Sequence, residues 1–396
     1  MIVVVVLLFF PTIPAQLRET DLRKLIAAGT WSPDELKALE NGDVVVRSLQ
    51  TGMKQELASI GILRIKNLPP VSMDKLRESL SQRGSDEKKT GGQFSEPPTL
   101  DDLRPLELET DAIDQLQKCS VGRCDLNLSA KMISRFGREI DWTSSNARSD
   151  ATRLIAEMLV DYVREYAARG DGALGTYDNR RKTVDLSASH RSLLSSSSLI
   201  RDLAPEFIEY LEKFPRKRLE NVTSSMHWSV IDFGLKPSIT ISHSAAYTQK
   251  RGESEQLFVA SKQIYSSRYL DSSLTFTMLL RVVTDAGVDS YLVFVDRSRS
   301  DALDGPLGGF ARDIVQKEAL GRIETLLSKA HLRLLTVQGA ETKATADSPE
   351  GSSVRWIAAL RRRSVVITIA GVIVAVAFLL LWNQRRASRS HRRQRG

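Results

Sequence analysis

Apolar residues recur along the chain with two different periods, and the change from one to the other divides the molecule. Between residues 109 and 213 they return every three or four positions, the spacing of one helix face. The clearest case is 149–168, where Leu154, Ile155, Met158, Leu159, Tyr162, Val163 and Tyr166 form one stripe that stops at Gly170. Further helices are predicted over 109–118, 127–140, 186–195 and 203–213, the last before Pro215. From about residue 222 the period falls to two. The runs Ile239–Tyr247, Gln256–Tyr265, Leu274–Val283 and Tyr291–Val295 read as strands, and Leu274, Phe276, Met278, Leu280 and Val282 share one face of the third. Polar turns at 250–253 and 285–287 separate consecutive strands, which predicts an antiparallel meander.

Upstream, 17–28 and 32–40 have the pattern of short helices, the second opened by Ser32-Pro33-Asp34-Glu35 with a serine cap and proline at the first helical position. Two β-rich runs follow, Val44–Leu49 and Glu56–Lys66, with a turn at Thr51-Gly52, and a helix is predicted over 72–82. Residues 83–100, polar and rich in Gly, Lys and Pro, read as a loop. The last element of the body is a long helix, Gly308–Leu335, striped with Phe310, Ile314, Ala319, Ile323, Leu326, Leu327, Ala330 and Leu334. Such a stripe must be covered, and the preceding sheet is its natural partner. The expected fold class is α+β: an antiparallel sheet gripping a long C-terminal helix, with a helical insertion at 83–221.

Both ends of the chain are hydrophobic, in different ways. Residues 2–10 are apolar but too few to span a bilayer, which takes about 20; with Pro11 and Ala15 behind them they suit a signal peptide over 1–15, although no basic residue precedes the run and Ile13 is bulky for a cleavage site. Residues Ser364–Trp382 contain no charge, are apolar on every face and lie between Arg361–Arg363 and Arg385-Arg386, the pattern of one transmembrane helix. Residues 339–354, small and polar, read as a flexible linker. The expected topology is an exported body over 16–338, a single pass through the cytoplasmic membrane, and a basic cytoplasmic tail over 383–396.

Charge supports that layout. The net formal charge is +8, from 56 basic and 48 acidic residues. Ten of the basic residues are arginines at or beyond 355, where no acid occurs; setting them aside leaves 46 against 48, or −2 for residues 1–354. The basicity therefore belongs to the membrane flanks, where it pairs with lipid headgroups, and a nucleic-acid partner is not expected. The two cysteines, Cys119 and Cys124, bracket Gly122 in a C-x4-C turn. In an oxidising compartment they fit a disulfide, the alternative being two buried thiols.

Two N-terminal strands, a helix, a later meander and a closing amphipathic helix together resemble the helix-grip fold of the START and polyketide-cyclase-like (SRPBCC) superfamily, over residues 40–82 and 222–336. The stretch Ser261–Leu274, followed by Val295–Gly305, is similar to uncharacterised bacterial membrane-anchored proteins. The resemblance implies a cavity between sheet and helix for a lipid-like hydrophobic or amphiphilic molecule, and no universal catalytic residue. Polar residues on the predicted strands that could enter such a cavity are His243, Tyr247, Lys262, Tyr265 and Arg281. Each could equally face solvent.

Signatures of catalysis are missing from the sequence. The histidines show no His-x3-His or His-Glu-x-x-His spacing for a metal, and there is no Gly-x-Ser-x-Gly elbow or phosphate-cradling glycine loop. Ser195–Ser198 beside His190 read as a helix boundary, since serine competes for the backbone. Arg297, Arg299, Asp301 and Asp304, at the entry to the last helix, read as a turn fixed by Arg–Asp pairs, with an anionic headgroup site as the alternative. The expectation is a non-catalytic, membrane-tethered binding domain without cofactor, its partners membrane lipids and a hydrophobic small molecule. The competing expectation is an envelope scaffold that uses the insertion to hold other envelope proteins.

Overall fold

The computed structural model describes residues 31–66, 68, 90–231, 236–251, 254–284, 287–304 and 308–344. The elements are α1 (Pro33–Asn41), β1 (Val45–Leu49), β2 (Glu56–Lys66), β3 (Gly91–Gln93), α2 (Thr110–Lys118), α3 (Ala130–Glu139), α4 (Ala147–Arg169), the hairpin β4 (Thr176–Tyr177) and β5 (Val184–Asp185), α5 (Leu186–Ser195), α6 (Ser198–Leu203), α7 (Pro205–Lys213), β6 (Val222–Ile231), β7 (Ser238–Arg251), β8 (Ser254–Ser266), β9 (Ser272–Thr284), β10 (Gly287–Arg299) and α8 (Gly308–Ala344). The fold is α+β around one eight-stranded antiparallel sheet of order β1-β2-β10-β9-β8-β7-β6-β3.

Local chemistry accounts for the boundaries. Ser32 accepts from the Glu35 amide while the Glu35 carboxylate accepts from the Ser32 amide, a reciprocal cap that starts α1; Gly42, at φ 88°, ends it. β6 to β10 run as the expected meander, and β10 returns to β2, where Val293 faces Ile62 and Val295 faces Ile60. The insertion helices begin and end within a few residues of their predicted limits. β3 falls inside 83–100, expected to be loop; its Gly-Gly-Gln sequence has no strand preference and it exists through pairing with His227–Ser229 of β6. Cys119 and Cys124 stand at disulfide distance, with Cα atoms 4.6 Å apart. Gly122, at φ 78°, turns the chain between them, and the turn docks through amides of Gly122 and Cys124 on the carbonyls of Asp178 and Asn179.

Period-two alternation gives the sheet two apolar faces, and both are covered. The Leu274, Phe276, Met278, Leu280 and Val282 face meets α5, α6 and α7 through Leu193, Ile200, Phe207 and Leu211. Further toward β6 the same side meets α3 and α4, with Ile133, Ile155, Leu159 and Val163 packed near Trp228 and Ile241. The opposite face, including Leu63, Leu279, Leu292 and Phe294, takes Ile323, Leu327 and Leu334 of α8. The insertion is thus a second layer of the same body. α8 continues to Ala344, so residues 339–344, expected to open the linker, are helical.

The contact between α8 and the sheet is close. A Cβ placed on Gly61 would come within 2.5 Å of Ile323 Cγ2 and 2.7 Å of Leu327 Cδ1. Gly61→Ala is therefore expected to destabilise by about 1–3 kcal/mol, the usual cost of one extra carbon in a filled core. A lowered midpoint in thermal or urea unfolding checks it.

Among the described residues no helix is long and apolar enough to cross a membrane. The predicted signal peptide at 1–15, the helices at 17–28 and 72–82 and the span at 364–382 lie outside the described residues.

Candidate functional site

Two of the polar strand residues singled out from sequence meet inside the molecule. On β8, Phe258, Ala260 and Lys262 alternate onto the face covered by helices, and the register of β7 places His243 directly opposite Lys262. That register runs unbroken from the hairpin pair Arg251 and Ser254, and shifts only beyond Ser242. Lys262 is completely buried. Its ammonium pairs with Asp171, in the turn that follows α4, and lies 5.7 Å from the ring centre of Tyr166, on the last turn of α4. The Tyr166 hydroxyl and His243 Nδ1 are 3.1 Å apart, and the Phe214 ring sits 4.3 Å from the imidazole. His190 of α5 is buried close enough to feel the Lys262 charge.

Burial sets the charge states here. It pushes the His243 imidazole down to about 3, helped by the charge on Lys262, and holds His190 well below the ordinary histidine range for the same two reasons. Both rings are therefore neutral at pH 7. Burial also lowers Lys262, against which the Asp171 carboxylate works, and raises Tyr166 far above the usual phenol range. The constellation is one cation and one anion, a Lys262 ammonium buried among aromatic rings and a partly exposed Asp171 carboxylate. It ties the sheet to the end of α4, and no hollow described below reaches it.

An open hollow does exist one step along the same face. Its volume is about 510 Å³, and its walls are Leu108, Leu116, Leu126, Leu128 and Ile155 of the insertion and Val230, Ile239 and Tyr265 of the sheet, with Glu107, Glu109, Ser267 and Arg268 as polar lining. Tyr265 is 3% exposed, and its hydroxyl has no hydrogen-bond partner among the described residues. Burial raises its phenol, so the proton stays on. Arg268 is nearly buried, donating to Gln115 at 2.9 Å and to Asp111 at 3.3 Å. A second hollow of about 460 Å³ lies between β1, β10 and the start of α6. Its cations are already matched, Arg47 to Glu35 at 2.9 Å and Arg297 to Glu56 at 2.5 Å.

The five predicted site residues thus separate. His243 and Lys262 come together in the sealed pair, and Tyr265 lines the larger hollow. Tyr247 belongs to the core, stacked on Phe207 with its hydroxyl donating to Glu206 at 2.8 Å. Arg281 lies on the other face of β9, in step with Leu279, and its backbone amide donates to Gln256. Neither hollow borders α8, and where α8 crosses β2 the contact at Gly61, Ile323 and Leu327 is close. The serines at 195–197 donate back to carbonyls of Ser192 and Leu193, as a helix boundary requires. At the entry to α8 the pairing differs from expectation: Arg297 takes Glu56, while Asp304 accepts from Gln55 and Asp271 from the Asp301 amide. Asp171, Tyr166 and Arg268 were not singled out. Among the described residues no cluster of three or more His, Cys, Asp or Glu could hold a metal ion.

The chain matches no protein-family model, and no curated protein or solved structure is significantly similar to it.

Proposed function

We propose that this protein is a membrane-tethered, exported binding domain that holds a hydrophobic or amphiphilic small molecule, non-catalytically, in the hollow between the helical insertion and the sheet. The observation that carries this reading is the hollow itself: about 510 Å³ with a mostly apolar wall. Small-molecule sites have that size and that ratio of apolar wall to placed polar groups. This hollow lies on the sheet face opposite α8, whereas the resemblance implied a cavity between the sheet and that helix. The tether rests on the charge-free run 364–382 between arginines, and the side of the membrane on the basic tail behind it.

Native mass spectrometry of the full chain, with solvent extraction of anything bound, tests the reading. We expect a small molecule to accompany the wild type and to be lost when Leu126, on the wall, is replaced by Trp. A chain that carries nothing and takes up no hydrophobic probe that Leu126→Trp excludes would overturn it.

A further inference from the structure

One wall of the larger hollow hangs on a junction of three segments. Leu126 and Leu128, both on the wall, flank Asn127. The Asn127 amide donates to the Ser267 carbonyl at 2.8 Å, and its side chain donates to the Leu270 carbonyl at 3.2 Å, so the strip is tied to the β8–β9 turn. On its other side the strip meets the β4–β5 hairpin, where the Asp178 amide donates to Leu128 and the Asn179 side chain to Asn127. Asp271 closes the junction. It ends the β8–β9 turn, accepts from the Asp301 amide at 2.6 Å, and lies 3.9 Å from Arg180 of the hairpin. Its side chain is 4% exposed, and Oδ1 has no hydrogen-bond partner among the described residues. The groups facing it are Arg180, Arg299 of β10, Asp301 before α8 and the Tyr177 phenol of β4. When ionised, this carboxylate is held out of water with one donor for its roughly four acceptor sites.

Taking this hollow as the ligand site, we propose that Asp271 is a proton-operated latch on its wall, locking the 126–128 strip to the β8–β9 turn in mild acid and freeing it near neutral pH. The direction follows from burial. Opening the junction hydrates the carboxylate, so the open form favours Asp271 ionised and the closed form favours it protonated. Burial accordingly raises its carboxyl to about 6, with Asp301 adding to the rise and Arg180 and Arg299 opposing it. Opening therefore releases a proton and becomes easier as pH climbs through that value. The attraction to Arg180 works the other way, but it acts at 3.9 Å through a guanidinium that is 35% exposed and screened by water. The hollow then exchanges its guest at neutral pH and retains it in mild acid.

Hydrogen exchange of the full chain in lipid nanodiscs reads the latch directly, with rates corrected for the pH dependence of unprotected amides. The Asn127 and Asp178 amides should be about ten-fold less protected at pH 7.5 than at pH 5, the factor expected if opening restores an ordinary aspartate. Asp271→Asn, neutral and of the same shape, should keep both amides at their pH 5 protection at either pH. The variant also controls for every other group that titrates in this range. A guest gives the second readout: 1-adamantanol, whose charge does not change with pH, should leave the wild type more slowly at pH 5 than at pH 7.5 by the same factor. From Asp271→Asn it should leave slowly at both, with empty nanodiscs as the blank. Equal protection of the wild type at the two pH values, or a difference that Asp271→Asn retains, overturns the latch while leaving the hollow a binding site. Protection that follows pH as expected, with no 1-adamantanol bound at either pH, supports the latch and overturns the binding-site reading alone.

Discussion

Asp171→Asn will destabilise the protein by about 3–5 kcal/mol, the usual consequence of leaving one partner of a buried ion pair uncompensated. Lys262 has no route to water: it is completely buried, with Tyr166 on one side and His243 opposite, and its only carboxylate is Asp171 among the described residues. Without that carboxylate the ammonium either remains buried and unpaired or gives up its proton. Both cost free energy at pH 7. The second outcome leaves a signature. In the folded variant the Lys262 pKa lies further below its unfolded value of about 10.4, so between the two values the unfolded chain binds more protons. Stability of Asp171→Asn must then rise with pH from neutrality toward about 10. Lys262→Met should cost far less, because it removes the desolvated charge and keeps the volume, and Asp171, partly exposed, can be hydrated. The double variant should recover most of what Asp171→Asn loses. Urea unfolding followed by tryptophan fluorescence checks the order; Asp171→Asn proving no worse than Lys262→Met would refute the account of the pair.

Much of the fold was legible because it is written in short-range periodicity. The stripe from Leu154 to Tyr166 located α4 to within two residues at its start, and the shared face of Leu274 to Val282 is one face of β9 in the structure. The partner of each face was not legible, since alternation says that a face is buried and not against what. The Leu274 face meets helices from the insertion, while α8 crosses to the opposite face and rests on β2 as well as the later strands. β3 escaped for a related reason: three residues without strand preference are held by a neighbour 136 positions away, with Gly92 opposite Trp228 at the centre of the ladder.

The site was legible in its strand residues and not in its loop residues. Lys262 and His243 could be named as polar groups on strands, but which face they share follows from the register of the β7–β8 hairpin, which pattern alone does not fix. Asp171 sits in Gly-Asp-Gly-Ala, a sequence that reads only as a turn, and it meets Lys262 across a separation of 91 residues. Arg268 follows β8 in a serine-rich turn, and nothing local distinguishes it from an exposed cation. The local pointer to Asp171 is Gly170 just before it, where the backbone does something a side chain would prevent.

Gly170 is where that requirement can be measured. It ends α4 at φ 60° and ψ −139°, a region open essentially to glycine alone, and a Cβ added there would lie 1.8 Å from the carbonyl oxygen of Phe214. The obstacle is backbone, and it cannot swing aside as a side-chain tip would. Gly170→Ala must therefore separate the end of α4 from the 213–215 segment, and the displacement falls on the residue before Asp171. We expect a loss of about 4 kcal/mol or more, combining the strained dihedral with the clash. The damage should also be directional. Phe214 carries the ring that covers His243, and Asp171 carries the charge that holds Lys262, so both walls of the sealed pair move together. Hydrogen exchange should then show lost protection first in the last turn of α4 and at Lys262 and His243, with the contact between α8 and β2 on the far face unchanged. Loss spread evenly across both faces, or a stability within about 1 kcal/mol of wild type, would mean that the chain can relax around position 170 and that this glycine does not govern the site.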